Sequence, residues 1–166
     1  MKPPAAGVAA AGAGRAESPA IADAGPALFR LVRFWSRRWI TRTAAEITGE
    51  MRQVQHILAV EAADTVRAHS GEATVAAVAY QLGLDHSGAS RMVRDATAAG
   101  YLTRATSPRD RRQTVITLTP QGQALLASSR QWQRRAFDQL TADWTDRDRR
   151  QLATYLHRLA RQLDLG

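Results

Sequence analysis

The sequence predicts a mainly α-helical fold with one small β-hairpin, and three observations support this. Apolar residues recur at helical spacing near both ends of the chain. In the middle, two short helical patterns are separated by Gly83. Two short strand-like runs then enclose a polar, arginine-rich connection. This order is typical of a winged helix-turn-helix, predicted at about residues 72–119, with dimerisation helices at about residues 28–47 and 121–165.

The composition favours a basic, single-domain protein of 166 residues, with 23 Lys and Arg against 15 Asp and Glu and a net charge of +8. Such a protein attracts polyanions, of which nucleic acid is the usual one, although a soluble protein in which Arg and Ala are simply common is the alternative. The chain has no cysteine, which excludes disulfides, thiolate metal sites and thiol switches. It also lacks a long apolar run, so we expect a cytoplasmic protein with no membrane partner.

Two helices are predicted in the N-terminal third, after a tail. Residues 1–27 contain 11 Ala, 4 Gly and 4 Pro and no aromatic residue, and this composition predicts a disordered tail. The first helix has an apolar stripe formed by Leu28, Leu31, Val32, Trp35 and Trp39. The second helix runs from about Thr48 to Ala68, with a predicted buried side formed by Met51, Val54, Leu58, Ala62 and Thr65.

The helix-turn-helix is predicted from capping residues and a glycine. Thr74 is expected to begin a short helix that Gly83 ends, and Leu84 is expected to anchor the turn. Asp85 is the predicted N-cap of the next helix, from about His86 to Ala99, with Gly100 as its stop. If its buried stripe is Ala89, Met92, Val93 and Ala96, the residues left facing outward are Ser87, Gly88, Ser90, Arg91 and Arg94.

A wing and two further helices follow. The predicted strands are Tyr101–Thr106 and Thr114–Thr119, and the connection between them carries Arg109, Arg111 and Arg112. Thr119 and Pro120 begin one helix, with a stripe formed by Leu125, Ser129, Trp132, Ala136 and Leu140. Thr145 and Asp148 form the capping box of the last helix, with a stripe formed by Leu152, Tyr155, Leu156, Leu159 and Leu163.

Residues 78–126 closely resemble the multiple antibiotic resistance regulator (MarR) family. The resemblance rests on a Ser-x-x-Ser-Arg helix, a Gly-Tyr-Leu-x-Arg strand, an Asp-x-Arg wing and a Leu-Thr-Pro-x-Gly segment, which stand here at Ser87 to Arg91, Gly100 to Arg104, Asp110 to Arg112 and Leu118 to Gly122. It implies a homodimer whose first and last helices interlock. It also implies a ligand-responsive repressor that binds a near-palindromic operator in double-stranded DNA.

The resemblance assigns roles to the residues of the second helix and the wing. The helix from His86 would enter the major groove, where Arg91 or Arg94 reads a guanine or contacts a phosphate and Ser87 and Ser90 contact phosphates or base edges. Gly88 would allow a close approach of the backbone. Arg112 fits the minor-groove arginine of the family, with Asp110 holding its guanidinium, while Arg109 and Arg111 touch phosphates.

Other functions are weaker interpretations of the sequence. No nucleophile, carboxylate-pair or phosphate-loop motif predicts an enzyme or a cofactor. A winged helix used only for protein contacts and a metal-responsive regulator that uses His56 and His69 remain the alternatives. A small aromatic effector could bind between Trp35, Trp39 and His56, although tryptophans at this spacing also serve as plain core or dimer contacts.

Overall fold

The structure, a computed structural model, describes residue 21, residues 23–34 and residues 51–162. The chain consists of two compact units, formed by residues 1–39 and residues 40–166. The first contains α1 (Ala24–Phe34). The second contains α2 (Met51–Ser70), α3 (Val75–Leu82), α4 (His86–Ala98), β1 (Leu102–Thr106), β2 (Thr114–Leu118), α5 (Pro120–Leu140) and α6 (Asp146–Gln162). The predicted mainly α-helical fold with one β-hairpin is confirmed.

Helix α1 begins earlier than the sequence predicts. The amide of Ala27 donates to the carbonyl of Asp23 at 3.0 Å, and Pro26 lies in the first turn, where its missing N–H breaks no helical hydrogen bond. The predicted end of the tail at residue 27 therefore falls inside a helix. Within the predicted stripe, Leu28, Leu31 and Val32 are each about half exposed. Trp35 and Trp39 lie outside the described residues, as do residues 1–20 of the predicted tail.

Helix α2 is the centre of the second unit, in contact with α3, α4, α5 and β2. Of its predicted buried side, Ala62 is buried, whereas Val54, Leu58 and Thr65 are only half-buried. The side chain of Met51 lies outside the described part of the chain. The residues of α2 that are fully buried are instead Ala59, Val60 and Ala63. The prediction of this face is wrong in part, because four elements pack on α2 and its buried residues, which also include Ile57 and Val66, lie outside a single stripe.

The turn between α3 and α4 is held by backbone hydrogen bonds. Gly83 adopts a φ of +63°, which glycine accepts without strain. The next amide, that of Leu84, donates to the carbonyl of Ala79 at 3.0 Å and closes the end of α3. The Leu84 side chain is 41% exposed, so its predicted anchoring role is wrong. The N-cap prediction is confirmed, since the Thr74 hydroxyl accepts from the Ala77 amide at 3.2 Å.

The two strands form an antiparallel hairpin in which Leu102 pairs with Leu118 and Thr106 with Thr114. The segment after α2 adds a bridge to this hairpin, because the Ile116 amide donates to the Ala73 carbonyl at 2.7 Å. Leu102 and Ile116 are almost fully buried in the core under the hairpin. The base of the wing is therefore fixed to the helical core, while its tip lies beyond the last pair.

The two C-terminal helices begin at the predicted caps. The Thr119 hydroxyl accepts from the Gly122 amide at 3.0 Å, and that of Thr145 accepts from the Asp148 amide at 3.2 Å and donates to its carboxylate at 2.7 Å. On α5, Leu125, Ser129 and Ala136 are buried as predicted, Trp132 is half-buried and Leu140 is exposed. On α6, the stripe is largely uncovered in the single chain: Leu152 is half-buried, and Tyr155, Leu156 and Leu159 are about half exposed. Leu163 is outside the described residues.

None of the helices in the described part of the chain is both long and apolar enough to cross a membrane.

Candidate nucleic-acid interface

The N-terminus of α4 is fixed by Asp85. One oxygen of its carboxylate accepts hydrogen bonds from the Gly88 amide at 2.6 Å and from the Ser87 hydroxyl at 2.8 Å. These two bonds, together with the nearby charge of Arg91, hold the pKa of Asp85 below its ordinary value. The cap is therefore a carboxylate at neutral pH, and it satisfies orphan amides at the end of the helix that is predicted to face DNA.

The predicted outer face of α4 is the exposed face. Ala89, Val93 and Ala96 are buried, and Met92 packs against the core. Ser87, Arg91 and Arg94 are exposed, while Gly88 and Ser90 are partly buried. A Cβ added to Gly88 would lie 3.2 Å from the capping oxygen of Asp85, so glycine here leaves room for the cap. The helix thus presents two guanidiniums and a hydroxyl to a partner.

The wing turn is organised around the buried hydroxyl of Ser107, which is 2% exposed. This oxygen accepts from the amides of Arg109 at 3.0 Å and Asp110 at 3.1 Å, and it donates to Glu72 Oε2 at 2.8 Å. Glu72 belongs to the segment that joins α2 to α3. One hydroxyl therefore connects the turn of the wing to the helical core.

Asp110 orders the tip of the wing in a way that differs from the prediction. Its Oδ1 accepts from the backbone amide of Arg112 at 2.9 Å, and its Oδ2 accepts from the Gln113 side chain at 3.2 Å. The expected contact with the Arg112 guanidinium is thus corrected to a contact with the Arg112 backbone, because a short Asp side chain readily bonds the amide two residues on. Arg111 and Arg112 themselves are exposed.

The Arg109 side chain lies against the end of α2. Its Nη1 donates to the Ser70 carbonyl at 3.1 Å, and its Nε lies 3.8 Å from Glu72 Oε1. The guanidinium covers Gly71, where an added Cβ would lie 2.8 Å from Nη2. The Arg109 side chain is still 69% exposed, and its predicted phosphate contact stays a prediction. Glu72 and Ser107 were not predicted from the sequence, although the Ser-Pro pair at the start of the turn is a signal that could have indicated Ser107.

The residues predicted to bind an effector are only partly described. The His56 ring lies 5.4 Å from the Tyr101 ring, while Trp35 and Trp39 are outside the described residues. Within the described ranges, no cluster of three or more His, Asp or Glu side chains is placed to hold a metal ion.

A cavity of about 460 Å³ lies between α2, β2 and α5. Its polar wall contains Asp64, which accepts from Arg67 at 2.9 Å and from Arg130 at 2.7 Å. Burial, the largest single influence, raises the pKa of Asp64, but the hydrogen bonds and charges of the two arginines together hold it below its ordinary value. The apolar wall is formed by Leu118, Leu126 and Ala127. The cavity therefore combines guanidiniums with an apolar surface.

Known proteins resemble the chain in one stretch of its sequence and in its fold. A family model described as "MarR family" matches residues 62–113. No curated protein matches the chain in sequence.

Many solved structures share the fold. A MarR family protein from Bacillus stearothermophilus is 13% identical, with a TM-score of 0.68 over 90% of this chain and 99% of that one. FabT of Streptococcus pneumoniae, solved in complex with DNA, is 12% identical, with a TM-score of 0.62 over 84% and 97%. BpsR of Bordetella bronchiseptica, whose DNA binding is regulated by 6-hydroxynicotinic acid, is 17% identical, with a TM-score of 0.57 over 81% and 98%.

Proposed function

We propose that the chain is a transcription regulator of the MarR type that binds a near-palindromic operator in double-stranded DNA as a homodimer, a function supported by the family match over residues 62–113 and by the shared fold. The observation that carries the proposal is the exposed face of α4, where a capped helix N-terminus is followed by Arg91 and Arg94. A helix of this kind fits the major groove with its N-terminal half inward.

The exposed arginines of the wing support the same function. Arg111 and Arg112 stand at the tip of a hairpin that Asp110 and Ser107 hold in a fixed turn. A narrow minor groove concentrates negative potential and favours an inserted guanidinium. A protein-binding wing would not need two exposed cations at its tip. Arg112 is therefore assigned to the minor groove and Arg111 to a phosphate.

Dimerisation is supported by apolar surface that the described part of a single chain leaves uncovered. Leu28, Leu31 and Val32 on α1 are about half exposed, and so are Tyr155, Leu156 and Leu159 on α6. Monomeric proteins rarely leave contiguous apolar stripes in water. A second copy of the chain, related by a two-fold axis, would cover both stripes and place two α4 helices on two half-sites.

Repression relieved by a small ligand is the finer part of the proposal. In BpsR the ligand named as regulating DNA binding is an aromatic carboxylic acid. The cavity beside Asp64 has a size suited to such a molecule, with Arg67 and Arg130 for a carboxylate and an apolar wall for a ring. The alternative is the site predicted from the sequence, with Trp35, Trp39 and His56. A ligand at either place releases DNA only if it binds the DNA-free conformation more tightly.

The test is selection of DNA from random duplex oligonucleotides by the purified protein, followed by sequencing. We expect an enriched pair of inverted half-sites whose centres lie about one helical turn apart. Arg91→Gln or Arg94→Gln should relax preference at one base pair of each half-site, whereas Arg112→Gln should weaken binding most on A·T-rich flanks. Retention of no DNA, or enrichment of no motif, would contradict the proposed function.

A further inference from the structure

We propose that Glu72, Ser107 and Arg109 form a wing anchor, a polar contact that sets the position of the DNA-contacting wing tip from the end of α2. The proposal rests on the proposed function, because the effect of the anchor is measured as a change in DNA affinity. It changes the role of Arg109 from a phosphate contact to a positioning residue. It also assigns a role to Glu72 and Ser107, neither of which would need to touch DNA.

The first support is that the contacts join segments far apart in sequence. Ser107 in the wing turn and Glu72 beyond α2 are 35 residues apart, and Arg109 and Ser70 are 39 apart. Beyond the bridge between Ala73 and Ile116, these are the described hydrogen bonds that hold the turn of the wing against the end of α2. Without them the tip would be held through its two strands and the bridge between Ala73 and Ile116 at the base of the wing.

The second support is the burial and chemistry of the participants. Ser107 is 2% exposed and its oxygen takes part in three hydrogen bonds, two from amides of the turn and one to Glu72. The Glu72 side chain is 18% exposed and lies between Ser107 and the Arg109 guanidinium. Glu72 Oε1 is buried and forms no hydrogen bond, so the Arg109 guanidinium 3.8 Å away is the charge that offsets its burial.

The third support is the backbone on which Arg109 rests. Gly71 has a φ of +82°, a conformation that glycine alone adopts freely, and its missing Cβ makes room for the guanidinium. The Arg109 side chain reaches the Ser70 carbonyl, one of the last carbonyls of α2, where a cation is also favoured by the helix dipole. The end of α2 is thus shaped to receive this arginine.

The decisive variants are those for which a loss of the anchor and a change in net charge predict different effects on DNA affinity. Ser107→Ala removes the central hydroxyl and changes no charge. We expect it to lower DNA affinity about fivefold, as the loss of one or two ordinary hydrogen bonds would. The slope of log affinity against log salt should stay that of the parent, because no phosphate contact is lost. Ser128→Ala, at an exposed serine of α5, is the matched control and should bind like the parent.

The second variant tests whether DNA affinity falls or rises when a charge of the anchor is removed. Glu72→Gln removes a negative charge, which by electrostatics alone would raise affinity for DNA, whereas loss of the ion pair with Arg109 lowers it. We expect lower affinity. Arg109→Gln should also lower affinity with little change in the salt slope, whereas Arg111→Gln should reduce the slope by about one phosphate contact. The double variant Glu72→Gln/Arg109→Gln should lose less than the two single losses combined, since both break one contact.

Amide hydrogen exchange in the DNA-free protein separates this inference from the proposed function. Ser107→Ala and Glu72→Gln should speed exchange of the Arg109 and Asp110 amides severalfold, whereas Arg111→Gln and Ser128→Ala should not. Unchanged exchange, unchanged affinity in Ser107→Ala, or tighter binding in Glu72→Gln would overturn the wing anchor. If the parent binds no DNA but the exchange result holds, the proposed function fails and the anchor remains as a contact that fixes the wing.

Discussion

The Asp64 carboxylate accepts a hydrogen bond from the Arg130 guanidinium at 2.7 Å and thereby joins the centre of α2 to α5. Arg67, one turn further along α2, donates to the other oxygen of the same carboxylate at 2.9 Å. Asp64 is buried, whereas the side chains of both arginines are more than half exposed. This is an ion pair within the helical scaffold that also forms the polar wall of the cavity between α2, β2 and α5.

The substitution Asp64→Asn should lower the free energy of unfolding by about 1–2 kcal/mol near pH 7, the range for charged hydrogen bonds reduced by solvent screening of the exposed arginines. Because the pKa of Asp64 is lowered in the folded state, its contribution is complete above the ordinary value of about 4 and is lost as the pH falls through the folded value. The difference between parent and variant should therefore shrink below about pH 4. Urea unfolding at several pH values measures it.

The control is Asp138→Asn, which breaks the pair with Arg149 between α5 and α6, in which the carboxylate is exposed and the arginine half-buried. It should change the free energy of unfolding by less than about 0.5 kcal/mol. An Asp64 variant as stable as this control would show that the pair between α2 and α5 contributes nothing.

The cap of α4 should depend on a side-chain acceptor at position 85 and not on its charge. Asp85→Ser keeps an acceptor for the Gly88 amide, and Asp85→Ala does not. We expect faster exchange of the Gly88 amide and weaker DNA binding in Asp85→Ala. In Asp85→Ser exchange should stay close to the parent and DNA binding should be at least as tight, because a negative charge near phosphates is removed. Equal exchange rates in all three proteins would contradict the assigned cap.

The exposed stripe of α6 should control the oligomeric state. Leu156→Glu places a charge between the apolar side chains of Tyr155 and Leu159. We expect it to convert a dimer to a monomer in sedimentation velocity. His157→Glu adds a charge at an exposed position between the members of the stripe and should leave the dimer intact. A parent protein that sediments as a monomer at micromolar concentration would contradict the proposed dimer.

A ligand response should show in DNA release by benzoate and hydroxybenzoates at millimolar concentration. If the cavity beside Asp64 is the site, Arg67→Gln should weaken the response, since it removes a cation for the carboxylate while the pair between Asp64 and Arg130 remains. If the response is instead lost in Trp35→Phe or Trp39→Phe, the site is the one predicted from the first helix. If none of these acids releases DNA, aromatic carboxylates are excluded as effectors.

The parts of the fold that were predictable from sequence are those set by local chemistry. Asp85, Thr119 and Thr145 cap their helices as their short polar side chains indicate, and Gly83 takes the left-handed conformation that ends α3. These features depend on a few neighbouring residues and on backbone hydrogen bonds. The order of helices and hairpin follows from them.

What could not be predicted depends on packing between distant elements. Several elements pack on α2, so the single stripe predicted from helical spacing included Leu58 but not Ala59 or Ala63. In the candidate site, the exposed arginines of α4 agree with the sequence pattern, and their contacts with DNA remain a prediction. The bonds of Arg109 to Ser70 and Glu72 were not predictable, because these residues are brought together only by the tertiary fold.

The most direct test of sequence-specific binding by α4 and the wing is a competition between the selected operator and a duplex of the same length and composition with scrambled order. Fluorescence anisotropy at about 0.15 M salt should give at least a thousandfold tighter binding to the operator, the usual minimum for specific regulators. Equal affinity for the two duplexes would contradict the account, because the basic surface would then bind DNA by charge alone.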